Sequence, residues 1–401
     1  MNPRYLANLT PLRGIAALLT VIFHVDIVLS LFQGKLLDQN ESHLISRMYL
    51  MVDFFFVLSG FIMCHVYAKY FETSVNAQNF KKFAIARFAR VYPLHLFSML
   101  LTILFLFLLY QWGAQVPPIL DTENSVYSVI TNMLLLHSMN FHQWFTFTHA
   151  SWSISVEWWM YMIFPFLVAP FMRLTKPGRL VIVALCIAGY LMIGYVLVPL
   201  VTVPDSISFL RTNGTPPFSL NVSYQFGFFR CLFGFVIGTM VYLAWKDNWA
   251  KKLFSSGYTV LILLAGLFTC MHFAVLDVFT VLFFPFILLA AAYGNRYMNS
   301  LLGTKPMQKL GDWSFSIYLI HQPFLYQATA LMQNPNKTGV TLSNLSMLTS
   351  WLICIGFIVF LLFVSYLSYR FIELPARNYI NKRWAKEKIS VVPVLEVQTV
   401  S

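Results

Sequence analysis

Apolar runs of about 20 residues, broken by short polar or proline-rich stretches, recur along the whole chain, and this is the length a helix needs to cross a bilayer. The breaks predict spans at about 12–32, 49–68, 91–110, 151–171, 180–200, 226–245, 257–274, 278–294, 312–332 and 348–371. The run at 126–138 is apolar but too short to cross, which predicts a re-entrant or interfacial helix. The expected fold is all-α, a polytopic membrane bundle of about ten transmembrane helices.

Charge then orients this bundle. With ten spans and the amino terminus inside, 22 of the 27 Lys and Arg fall on the inner side, and only Lys35, Arg47, Arg211, Arg230 and Lys337 fall outside. Lys and Arg resist translocation, so both termini are expected in the cytoplasm and the protein in an inner or plasma membrane. The net charge of +12 does not call for a nucleic-acid partner, because the cations punctuate apolar runs rather than gather on one face.

Composition agrees with the pattern: 58% of residues are hydrophobic and 10% charged, where soluble domains carry about a quarter charged residues. One membrane domain over 1–377 and a cytoplasmic tail over 378–401 are expected. The first apolar run lacks a small-residue cleavage pattern after Leu31 and reads as an uncleaved span. Five cysteines fall singly, with no CxxC spacing, and read as reduced packing thiols. The long outer connections 111–150 and 201–225 are rich in aromatic residues, which suits either a sugar or lipid-headgroup surface or an interfacial belt.

An ionisable side chain inside a span costs several kcal/mol unless it faces a polar interior, so each one marks a candidate site. Arg13 and His24 lie eleven residues apart, about three helical turns plus 20°, and share one face about 16 Å apart. Asp53 stands near the outer end of an aromatic span that continues through Ser59-Gly60, where glycine permits close packing or a kink. No Gly-x-Ser-x-Gly elbow surrounds that serine.

Arg87 and Arg90, three residues apart on the inner side, form either a phosphate clamp or a lipid anchor. Ser153, Glu157 and Tyr161 share a face at steps of four, as do Ser314, Tyr318 and His321 at helical spacing. Two mid-membrane histidines with two carboxylates point to a catalytic or proton-handling interior. His137, His142 and His149 cluster in an outer connection, but spacings of five and seven match no metal-ligand pattern, so no metal is expected.

Arg13-Gly14 with His24, Asp53 through Phe61, Arg87 and Arg90 with Tyr92-Pro93, Trp152-Ser153 with Glu157, Ser314 through His321 and Tyr369 through Pro375 occur in one order from about residue 10 to 377. In this ordered set the chain resembles the membrane-bound acyltransferase-3 family, which O-acylates cell-envelope glycans and related molecules. Trp158-Trp159 depart from the more polar residues frequent in relatives, and a hydrolase-like second domain is not expected here.

The resemblance implies an acyl-CoA-dependent O-acyltransferase with acetyl-CoA as donor, a glycan or glycolipid acceptor, membrane lipids as surroundings and no tightly bound cofactor. A second copy of the chain stays open as a partner. Acyl transfer needs a base, a polarised carbonyl and exclusion of water. By resemblance and position His24 is the base, with Asp53 or Glu157 orienting it and His321 the rival. Arg87 and Arg90 would hold CoA phosphates and Arg13 guide the pantetheine arm, with Tyr92, Ser153 and Arg230 also in the substrate-binding set. Direct transfer to the acceptor is preferred over an acyl-His24 intermediate. The competing class is a secondary transporter or glycolipid flippase, against which stands the lack of paired interrupted helices in corresponding halves.

Overall fold

The computed structural model describes residues 6–116, 122–204, 219–339 and 343–384. Its helices are α1 Leu9–Ser30, α2 Met51–Phe71, α3 Ala77–Gln111, α4 Val126–Met133, α5 Trp152–Met172, α6 Lys176–Met192, α7 Gly227–Lys246, α8 Gly257–His272, α9 Asp277–Val281, α10 Phe283–Tyr293, α11 Arg296–Leu302, α12 Lys305–Asp312, α13 Ser314–Met332, α14 Met347–Ser368 and α15 Leu374–Trp384. Among the described residues there is no strand, only an isolated bridge between Ser223 and Phe226. Arg4, Arg211 and residues 385–401 of the expected tail lie outside the described residues, and α15 runs across the boundary between residues 377 and 378 at which that tail was expected to start.

All ten expected segments are helical, and seven helical stretches are long and apolar enough to cross a membrane, which makes this an integral membrane protein. The bent pair Asp277–Tyr293 and Arg296–Leu302, with 91° between its halves, adds an eighth if taken as one span. The count of ten is not reached on length and hydropathy. Helix α8 has only 16 residues, and α13 turns Ser316, Tyr318, His321, Gln322 and Thr329 into the bundle rather than presenting an apolar surface.

Helix α3 is longer than expected. Its 35 residues begin at an Asn76 cap, whose side chain accepts from Asn79 N–H, and continue through Pro93. The segment 81–90 is therefore part of a helix about 52 Å long, longer than the ~30 Å hydrocarbon core, that carries Arg87 and Arg90 to the cleft. The short helix α4 exposes Val126, Tyr127, Ile130 and Met133 and buries Ser128, Thr131 and Asn132. An apolar outer face over a polar inner one suits a helix lying against lipid without crossing it.

Helices α2 and α7 form the centre, with 67% and 72% of their apolar windows buried, against 22% for the α6 stretch and 17% for the α14 stretch at the periphery. Their backbones touch because each helix sets a glycine against a carbonyl of the other. A Cβ on Gly60 would stand 1.9 Å from the Phe235 carbonyl oxygen, and one on Gly238 1.9 Å from that of Val57. Helix α1 meets α12 the same way, Gly311 leaving room for the Thr10 carbonyl.

Candidate active site

Five helices converge on a cleft with about 800 Å³ of empty space including its open mouth. Arg13 of α1, Phe55 and Ser59 of α2, Arg87 and Arg90 of α3, Ser153, Glu157 and Tyr161 of α5, and Ser314 and Tyr318 of α13 all line it. The i, i+3 and i, i+4 spacings seen in the sequence put these side chains on inward faces. Glu157 accepts from the Ser59 hydroxyl and from Tyr161 Oη at 2.6 Å, with the two hydroxyl oxygens 3.0 Å apart.

The three arginines differ in what holds them. Arg90 pairs with Glu373, which also accepts from Ser316 Oγ at 2.9 Å. Glu373 reaches inward from a π-helical turn, Tyr369–Glu373, between α14 and α15. Arg87 donates to Tyr67 Oη at 2.7 Å and lies over the Tyr67 and Tyr161 rings. Arg13 makes no hydrogen bond or ion pair with another described residue. With Glu157 and Glu373 counted against three guanidiniums, the cleft keeps one positive charge in excess, which suits an anionic guest.

Beyond Tyr318, whose ring centroid is 6.1 Å from that of His321, lies a histidine pair. His321 Nε2 is 3.3 Å from His24 Nδ1, the His24 Nδ1 is 2.8 Å from the Thr20 carbonyl, and His321 Nδ1 is 3.2 Å from that of Ile317. Carbonyls only accept, so both rings carry their proton on Nδ1, and the His24 N–H is shared between Thr20 O and His321 Nε2. His24 Nε2 keeps its lone pair, and no hydrogen bond from a described residue occupies it. The two histidines expected as rivals are thus one unit in which His24 holds the open nitrogen.

Other expected site residues sit elsewhere. Asp53 does not reach His24: it forms a two-pronged ion pair with Arg230, Nε–Oδ1 2.9 Å and Nη2–Oδ2 2.5 Å, both side chains buried. Arg230 also donates to the Val222 and Tyr49 carbonyls and lies over the Tyr49 and Trp152 rings, so its guanidinium is engaged within the protein and lies outside the cleft lining. Next to it Asp277 binds Arg47, Tyr49 Oη and the Leu220 N–H. Glu157 faces the cleft arginines rather than the histidines. Tyr92 stacks on Phe88 at 4.5 Å, outside the cleft lining, while Ser153 lines the cleft and bonds Tyr318 Oη at 2.8 Å.

In the outer connection, His142 is held by Thr131 Oγ1 and Glu123, and His137 by Ser151, while His95 of α3 stacks on His137. Burial first, and the nearby His95 second, push the His137 pKa well below its usual 6.5. Among the described residues no three His, Cys, Asp or Glu side chains assemble as metal ligands. Sequence reasoning passed over two participants. Ser59 reads through its glycine neighbour and Glu373 as part of the resemblance only; the signal for Glu373 is a carboxylate at the end of a long apolar run.

Comparison with known proteins bears on the whole of this arrangement. The chain is 22% identical over 400 residues to the peptidoglycan O-acetyltransferase OatA of Listeria monocytogenes, covering 94% of this chain and 56% of that protein. It is 23% identical to the O-acetyltransferase OatA of Staphylococcus aureus, over 94% of this chain and 58% of that one. With the acyltransferase MdmB of Streptomyces mycarofaciens it shares 26% identity over 80% of each chain. The chain therefore spans little more than half the length of the two OatA proteins. No solved structure matches. The acyltransferase-3 family model, described as an acyltransferase domain, matches residues 6–370, a stretch that takes in Arg13, the histidine pair and nearly all of the cleft, and the chain belongs to that family.

Proposed function

We propose that the chain is a membrane O-acyltransferase that takes an acyl group, acetyl in this reading, from acyl-CoA on the cytoplasmic side and passes it to a hydroxyl of an envelope carbohydrate. The observation that carries this is the pairing of a cationic cleft with an imidazole whose basic nitrogen is open. The names of the relatives, two of them O-acetyltransferases, support the same chemistry. The inner surplus of Lys and Arg supports placing both termini in the cytoplasm of an inner or plasma membrane.

In this reading Arg13, Arg87 and Arg90 attract the phosphates and thioester of the donor, and burial excludes water that would hydrolyse it. His24 Nε2 takes the proton of the acceptor hydroxyl. The imidazolium that forms keeps its Nδ1–H on Thr20 O and His321 Nε2, which holds its orientation as the charge appears.

Purified His24→Ala in lipid nanodiscs should lose about 10²–10⁴ in transfer rate while acetyl-CoA binding persists. His321→Ala should lose less, because it removes the support and leaves the base. Near-normal turnover by His24→Ala alongside loss in His321→Ala would move the base to His321.

A further inference from the structure

The polar cluster at the floor of the cleft does more than pack. Buried hydroxyls within helices ordinarily bond the carbonyl one turn back, and here Thr20, Thr102, Thr239 and Thr329 all do so, at 2.8–3.1 Å. Ser59 does not. Its hydroxyl donates across the helix interface to Glu157, whose same oxygen accepts from Tyr161 Oη, and its oxygen faces the cleft. Along α2 from Met51 to Phe61, Phe55 and Ser59 are the two positions left incompletely buried, one turn apart, and both line the cleft.

A hydroxyl that donates to a carboxylate has its lone pairs free to attack, which is the arrangement of a nucleophile with its base. The surrounding guanidiniums supply positive charge, and Arg13, which has no ion-pair partner among the described residues, is the one available to a developing oxyanion. Ser59 lines the cleft with the arginines, whereas the histidine pair lies beyond the lining, next to Tyr318 at 6.1 Å between ring centroids. A thioester held among the arginines therefore meets Ser59 before it meets His24.

We propose that Ser59 is an acyl-carrying nucleophile, so that transfer runs through an acyl-Ser59 ester rather than directly to the acceptor. The proposal rests on the acyl-CoA reading above. In the first step Ser59 Oγ bonds to the thioester carbonyl carbon, Glu157 takes the hydroxyl proton, the carbon–sulfur bond breaks, and the proton passes to the departing CoA sulfur, which leaves as the thiol. In the second the acceptor oxygen bonds to the same carbonyl carbon, His24 Nε2 takes the acceptor's proton, the ester bond to Oγ breaks, and that proton restores the Ser59 hydroxyl. No oxidant or reductant enters, and the acyl group ends as an oxygen ester.

The test uses the full chain in lipid nanodiscs, incubated with acetyl-CoA without acceptor, quenched in acid and mapped by intact-protein and peptide mass spectrometry, with acetyl-CoA binding measured on the same preparations by calorimetry. The expected result is one acetyl group on the peptide that contains Ser59, released by alkaline hydroxylamine. When acceptor is then added, the adduct should be discharged in the wild type and persist in His24→Ala, whose second step is blocked. Ser59→Ala should bind acetyl-CoA without acquiring the adduct or transferring, and Ser59→Cys should carry the acetyl group as a thioester. An adduct on His24, or none on a wild-type protein that binds acetyl-CoA and turns over, overturns the Ser59 step and leaves the acyl-CoA reading intact. Failure of the wild type to bind acetyl-CoA overturns both. If Ser59→Ala does not fold, the wild-type peptide map decides.

Discussion

Two groups of charges sit inside this bundle and are handled in opposite ways. In one, Asp53 faces Arg230 and Asp277 faces Arg47, each carboxylate matched to one guanidinium, with Arg230 also donating to the Val222 and Tyr49 carbonyls. In the cleft wall, Arg13, Arg87 and Arg90 outnumber Glu157, Glu373 is paired to Arg90, and Arg13 has no ion-pair partner among the described residues. Both are buried-charge clusters, yet neutrality in one and surplus in the other separate an internal brace from a place that awaits an anion.

The sharpest way to break this contrast is at the brace. Asp53→Ala leaves the buried Arg230 unpaired, and stability should fall by about 3–5 kcal/mol, read as a lower midpoint of thermal unfolding in detergent. Asp53→Leu combined with Arg230→Met removes both charges and should recover most of the loss. A single variant as stable as wild type would show that the Asp53 and Arg230 pair is not a brace.

A smaller effect is expected in the cleft, on binding rather than stability. Arg13→Ala should weaken acetyl-CoA binding by about 1.5–3 kcal/mol with an unchanged unfolding midpoint. Arg90→Ala should behave differently, because it strands Glu373: the midpoint should drop, and adding Glu373→Gln should restore it while binding stays weak. Equal midpoints for Arg90→Ala and Arg13→Ala would remove the distinction between a paired and an unpaired cleft arginine.

The smallest effect concerns the outer connection and sharpens the boundary of the brace. His137 has its pKa depressed in the folded protein, so below its unfolded value near 6.5 the unfolded chain binds the extra proton first. Its contribution is complete above that value and is lost as pH falls beneath it, by about 1.4 kcal/mol per unit. The unfolding midpoint should therefore decline between about pH 6.5 and 5.5, and His137→Gln should flatten that decline. An unchanged slope in His137→Gln would assign the pH response to another group.

What was legible in the sequence was local. Helical spacing put Ser314, Tyr318 and His321 on one face, and they remain so, with the first two in the cleft and the third beside His24. Partners were not legible, because they come from distant parts of the chain: Arg90 meets Glu373 across 283 positions and Arg230 meets Asp53 across 177. A periodicity names the face a side chain takes but not what faces it. That is why Asp53 read as a companion for His24. The length of α3 was not legible for a related reason: the polar start of the helix at Ala77 breaks the apolar pattern, and the tyrosine and carboxylate that hold Arg87 and Arg90 come from other elements.

The glycine contact between α2 and α7 sets a tolerance as well as a packing distance. Ser59 is followed by Gly60, whose missing Cβ lets the Phe235 carbonyl press on the backbone, and the reciprocal contact of Gly238 with Val57 lies three residues from Gly60. Side chains can swivel, but a backbone seated on a backbone at both points can neither slide nor roll without collision. The depth of the Ser59 hydroxyl is thus fixed the way a tool is fixed by its mount.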